Sequence, residues 1–161
     1  MTLMLKIFSN NNIYRKEIFF LFFLYITLLI SFLIGENSTG GAVKDYINQK
    51  SISIKFSSDF FETLFTYDTF STRHSPILII FLSFFEKIHF SDTLIRLIHL
   101  HLCLFLPLIF FNCLKIKFKD IDKKILILLS SLIFLSPTFR SLAIWPDSRL
   151  FGLIFFSISI F

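Results

Sequence analysis

The sequence predicts an all-α integral membrane protein, a polytopic helical bundle with amphipathic juxtamembrane helices in its first outer loop. Three observations predict it. Of the 161 residues, 55% are hydrophobic, above the roughly 45–50% of a soluble domain. Apolar runs of membrane length recur along the chain, and one long polar stretch, Gly35 to Asp92, separates the first of them from the rest. The 25 Phe residues beside only four Gly describe helices packed through bulky side chains rather than small-residue seams.

The elements follow in order. Met1 to Glu17 carries Lys6, Arg15 and Lys16, and Ile18 to Ile34 is then free of charge. Such a run rises about 25 Å, enough to span. A secretory signal peptide is the rival reading, but the run is long for one and Gly35-Glu36-Asn37-Ser38 offers no small-residue cleavage site. In the polar stretch, Val43, Tyr46 and Ile47 sit at helical spacing. Phe56, Phe60, Phe61, Leu64 and Phe65 form an apolar stripe interleaved with Ser58, Asp59 and Glu62. Helices of this kind lie in the plane of a membrane interface. Pro76 to Phe90 is too short to span before Glu86-Lys87 interrupts it, so it too reads as interfacial or partly inserted.

Three further spans are expected. Residues 93–116 form the clearest, with Arg96 near one end and a kink at Pro107. Residues 125–139 form a short one, and residues 149–161 the last. That last run ends inside an apolar stretch, which predicts the N-terminal part of a longer polytopic protein. Between the second and third spans, Lys115, Lys117, Lys119, Lys123 and Lys124 crowd one loop. Positive charge favours the cytoplasmic side, so these lysines join Lys6, Arg15 and Lys16 inside when residues 76–90 do not cross. The expected arrangement is a multi-pass protein of the cytoplasmic membrane, N-terminus inside, with spans 18–34, 93–116, 125–139 and 149–161. Its outer loops are then 35–92 and 140–148.

Several function classes are disfavoured. The net charge of +5 is dispersed and accompanies no recognition motif, which argues against nucleic acid. No P-loop, Rossmann glycine pattern, nucleophile elbow or zinc motif occurs. Cys103 and Cys113 would lie about 15 Å apart on one helix, too far for a disulfide. His99 and His101 point about 200° apart and cannot clamp one ion, whereas Arg96, His99 and Cys103 share a face directed at other helices.

The expected topology places Asp45 and Asp147 on the same outer side, each near a helix end. Paired carboxylates can deprotonate an acceptor hydroxyl or hold a divalent metal against phosphate. Arg96, at the outer end of a span, can reach the headgroups or grip a lipid phosphate through its planar fork.

This order of features resembles the GT-C superfamily of polyprenyl-phosphate-sugar-dependent glycosyltransferases, which includes the protein O-mannosyltransferases and the lipid A aminoarabinose transferases. The matching residues read Gly40-Gly41-Ala42-Val43-Lys44-Asp45-Tyr46, Thr72-Arg73-His74-Ser75-Pro76, Leu94-Ile95-Arg96-Leu97, and Leu135-Ser136-Pro137 followed by Trp145-Pro146-Asp147. The chain departs from the family where Lys44-Asp45 stands for paired acids, leaving Glu36 as an alternative functional acid. It departs again where Ser75 replaces the first proline of a His-Pro-Pro step.

The resemblance implies sugar transfer from a polyprenyl-phosphate donor to a glycan, lipid or protein acceptor at the outer membrane face. Asp45 would be the general base, Arg96 would bind the donor phosphate with Arg73 and His74 lining that side, and Asp147 would hold the acceptor or a metal. Membrane lipids are the expected surroundings, a divalent metal is a candidate cofactor, and nucleic acid is not an expected partner. Two other classes stay open. A lipid-linked sugar transporter or flippase would concentrate its polar residues at mid-span, and a non-catalytic membrane subunit would need none of Asp45, Arg96 and Asp147.

Overall fold

The computed structural model describes residues 15–37, 40–72 and 74–160, and among these it contains helices and turns but no strand. Helix α1 (Arg15–Leu33) covers the first expected span. Gly35 at φ 66° closes it: the Gly35 N–H donates to Phe32 O and the Glu36 N–H to Ser31 O, a paired closure that needs a left-handed residue after the last turn.

The polar stretch folds into α2 (Gly41–Ser58), α3 (Phe60–Phe65), a 3-10 turn (Tyr67–Phe70) and α4 (Pro76–Lys87). On α2 the buried positions Ala42, Tyr46, Gln49, Ser53 and Phe56 recur every three or four residues, one face of a helix. That face packs on Leu78, Ile79, Leu82 and Phe85 of α4, and the two helices run antiparallel. Within the expected stripes, Val43 and Tyr46 are buried but Ile47 is exposed, because it lies off the face that α4 covers. Likewise Phe56 is core, whereas Phe61 (70%) and Phe65 (85%) stand exposed on α3. Asp59 accepts from the Glu62 N–H and so starts α3 as a separate helix on a new axis.

Helix α5 (Asp92–Cys103) begins at Ser91, whose hydroxyl caps the Leu94 N–H, and α6 (Phe105–Lys117) continues it. Near Pro107, where a kink is expected, the helical bonding is interrupted at Leu104, whose N–H donates to His101 O. A proline removes the bond to the carbonyl four residues back, here Cys103, so the interruption precedes the ring. Together Asp92–Lys117 make 26 residues, long and apolar enough to cross a membrane.

The expected span 125–139 and loop 140–148 fall on two helices that meet at an angle. Helix α7 (Lys123–Ser131) runs into a 3-10 turn (Leu132–Leu135) and stops, and α8 (Pro137–Ile144) starts at an angle of 67°. The Ser136 hydroxyl caps the Phe139 N–H and Pro137 occupies the first helical position, where its missing N–H costs nothing. Most of the supposed loop is therefore helix, and the chain straightens only through Trp145-Pro146-Asp147 before α9 (Ser148–Ile160). As one bent unit, Lys123–Ile144 passes the same length and composition test as Asp92–Lys117; Phe19–Leu33 and Ser148–Ser159 are apolar but shorter.

The main core joins Leu24, Leu28 and Phe32 of α1 to Leu100, Cys103, Leu106, Phe134, Ala143, Ile144, Leu150 and Ile154. A second core sets Tyr46, Leu78, Leu82, Phe85 and Ile95 around Phe151. Helix α9 is wedged between the two, which fixes the position of its N-terminus against α2.

Candidate functional site

The first turn of α9 gathers most of the polar residues expected of a site. Asp147 is fully buried at 0% exposure. Its Oδ1 accepts from the backbone N–H and the Nε of Arg149 at 2.8 and 2.9 Å, and its Oδ2 accepts from Nη2 at 2.7 Å. Asp147 thus starts α9 in the manner of an N-cap and clamps the arginine two residues on. Burial alone would raise its pKa, but the Arg149 side-chain and backbone bonds prevail and hold the carboxyl below the usual range.

The same Nη2 donates to Asp45 Oδ2 on α2 at 2.8 Å, across 104 residues of sequence. Asp45 and Asp147, expected merely to share a side of the protein, meet on one guanidinium. Their environments differ: the Asp45 carboxylate is 40% exposed and the Arg149 side chain 58%, while Asp147 is sealed. Both oxygens of Asp147, expected to hold the acceptor or a metal, are bonded by Arg149, and the carboxylate supports that side chain. Among the described residues no three His, Cys, Asp or Glu side chains cluster as a metal site.

Asp45 and Arg149 stand on the wall of an open cleft of about 360 Å³, lined also by Asn37, Gly41, Ala42, Pro137, Thr138, Ser141 and Leu142. Gly41 begins α2 and Pro137 begins α8, so two helix starts and the turn after α1 frame the cleft. His74 lies behind it. Its Nδ1 is 2.6 Å from the Ser148 hydroxyl, and its own carbonyl accepts from the Tyr67 hydroxyl at 2.9 Å. The imidazole therefore braces the start of α9 instead of standing free in a loop. Arg73 lies outside the described residues.

Arg96 occupies the other side of Trp145. Its Nε donates to Ile144 O at 3.1 Å, and its guanidinium stacks 3.5 Å over the Trp145 ring and 5.0 Å from the Phe32 ring. Its Nη2 is buried with no described partner, as are the Tyr46 hydroxyl and both polar atoms of Gln49. Burial, followed by the nearby Asp92 and Glu86 carboxylates, pushes the Tyr46 phenol well up. Lys50 pairs with Asp92 and lies 3.8 Å from Glu86 along the same edge.

Glu36, the alternative acid, belongs to a separate junction. Arg140 donates to its Oε2 at 3.0 Å and also bonds the Ser31 hydroxyl and Thr27. These bonds from Arg140, then Ser31, hold the Glu36 carboxyl below its ordinary value. Trp145 Nε1 donates to the Glu36 carbonyl at 2.9 Å, so one turn fastens α1 to α8.

Comparison with known proteins returns no matching family, no matching curated protein and no matching solved structure.

Proposed function

We propose that this chain belongs to a membrane glycosyltransferase of the GT-C type, moving a sugar from a polyprenyl-phosphate donor to an acceptor at the outer face of the cytoplasmic membrane. Embedding in a bilayer is supported by the large apolar side chains left exposed on the long helices, among them Phe22 and Phe23 on α1, Leu108 on α6 and Phe156 on α9. Side chains of this size exposed along several helices favour a lipid surrounding over water.

The observation that carries the reading is Asp45: a carboxylate with one oxygen held by Arg149 and the other unbonded to any described residue, on the wall of an open cleft. In that position it takes the proton of the acceptor nucleophile. The nucleophile forms its bond to the anomeric carbon, and the bond from that carbon to the donor phosphate breaks with its electron pair leaving on phosphate. The resemblance gives the donor phosphate to Arg96, which lies outside the lining of this cleft beside Trp145; a cation in a water-poor setting stabilises the charge that develops on the leaving phosphate. Asp147 and His74 hold Arg149 and Ser148 in place and do not touch the reacting atoms.

The test is release of polyprenyl phosphate from polyprenyl-phosphate pentose and hexose by the full-length protein in nanodiscs. Asp45→Asn should reduce release by at least about a hundredfold, the usual scale for a general base, with expression and Trp145 emission preserved. Undiminished release removes Asp45 from the reaction.

A further inference from the structure

Three cavities of this protein share walls in sequence. The polar cleft at Asp45 and the next cavity, about 240 Å³, have Thr138, Leu142 and Arg149 in common. That second cavity and a third of about 370 Å³ have Leu106, Ile133 and Leu153 in common, and the third continues to Cys113 and Ser157. The three follow one another along α9, the first lined by polar groups and the other two by apolar ones. From Arg149 to Ser157 they follow eight residues of α9, about 12 Å of helix rise. Their far walls come from α6 and the 3-10 turn after α7.

The polar cleft is not simply cationic. Arg149 carries one positive charge and is paired with Asp45 and Asp147, so a bare anion would meet more carboxylate than guanidinium. What the pair offers is adjacent charges of both signs at the mouth, with Asp45 and Arg149 both part-exposed and linked at 2.8 Å. The complement is a headgroup that carries an ammonium and a phosphate, followed by an acyl chain that fits the apolar seam.

We propose that this row of cavities binds a zwitterionic phospholipid with an N–H at its head: ammonium on Asp45, phosphate on Arg149, one acyl chain along α9 toward Cys113. Charge complementarity at the head selects this occupant over a polyprenyl phosphate, whose head is purely anionic, and the apolar cavities that follow along α9 offer a place for its acyl chain. Only in naming this lipid the acceptor does the inference rest on the proposed function. Asp45 then takes a proton from the ammonium, and the freed nitrogen lone pair attacks the anomeric carbon as the phosphate leaves.

The experiment needs no sugar donor. The full-length protein in nanodiscs is irradiated with phosphatidylethanolamine carrying a diazirine near the end of one acyl chain, and the adduct is mapped by peptide mass spectrometry. Adducts should fall on α6 and α9 between Ile109 and Ser157, and unlabelled phosphatidylethanolamine should compete at least about tenfold better than phosphatidylglycerol or polyprenyl phosphate, the scale of one charged hydrogen bond. Asp45→Asn should abolish this preference while leaving Trp145 emission unchanged, and Leu153→Trp, which fills the seam without touching the head, should remove the α9 adducts. Equal competition by all three lipids means only that bilayer lipid fills the seam, and it overturns the proposal. Preferential competition by polyprenyl phosphate overturns it too and makes the cavities the donor's. Because binding is read without transfer, loss of lipid selectivity with Asp45-dependent transfer intact sinks this inference alone, and selective binding with no transfer sinks the catalytic reading alone.

Discussion

Replacing Asp147 separates the support of Arg149 from the chemistry of Asp45. In Asp147→Ala the Arg149 N–H loses its side-chain acceptor, a loss worth about 1 kcal/mol at a helix start. Two charge-assisted bonds to Nε and Nη2 also go, worth about 1.5–3 kcal/mol each between buried groups. The Arg149 side chain is 58% exposed, so water recovers a large part of that second contribution. The expected total is roughly 2–3 kcal/mol. Asp147→Asn keeps shape and an acceptor for the backbone N–H but not the charge, and should cost about 1 kcal/mol. The assay is denaturant unfolding in detergent micelles followed by Trp145, the single tryptophan, two residues from the substitution. Equal losses for Ala and Asn, or losses under about 0.5 kcal/mol for both, would refute the clamp, since a clamp must distinguish a retained acceptor from none.

Acid should destabilise the protein through the two carboxyls whose pKa values are lowered on folding, Glu36 and Asp147. Their contribution is complete above the ordinary carboxylate range, above about pH 5, and is lost as pH falls through the lower folded values, because the unfolded chain binds protons first. Arg140→Gln should flatten the acid limb of stability against pH while lowering stability at neutral pH; an unchanged limb would show that Arg140 does not hold Glu36. Arg96→Lys removes the planar stack on Trp145 and should cost about 0.5–2 kcal/mol and alter Trp145 emission, both measured in the same unfolding series. For topology, a cysteine at Ser91 should react with an impermeant thiol reagent added outside intact cells, and reaction only from the cytoplasmic side would reverse the assigned orientation.

What could be read from the sequence is what local pattern encodes. The Ile18–Ile34 run ending in Gly35 is α1 with its closure, and Val43 and Tyr46 of the expected stripe lie on the buried face of α2 while Ile47 does not. Ser75-Pro76 and Ser136-Pro137 each start a helix by the same cap-and-proline pair. Apolar length alone reads residues 125–139 as one run, whereas a serine that bonds the third N–H and a proline that lacks its own start a new helix at Pro137. Arg149 escaped notice because its partners are invisible locally: it reads as a flank of the last apolar run until Asp45 arrives from α2. The contact of His74 with Ser148 is hidden for the same reason, since nothing nearby in sequence announces Ser148. The gathering of Asp45 and Asp147 was foreshadowed by topology, but the guanidinium joining them was not.

The turn that closes α1 has a consequence for the order of assembly. Domains emerge from the ribosome N-terminus first, so α1 is complete while its fasteners are still unmade. The Glu36 carboxylate waits 104 residues for Arg140, and the Glu36 carbonyl waits 109 residues for the Trp145 indole. Until α8 appears, the Glu36 carboxylate and carbonyl lack these two partners, and that end of α1 has only its apolar contacts with α5. Arg140 and Trp145 are therefore late partners of the turn after α1, and the cleft beside that turn is walled only once Arg149 of α9 has followed them.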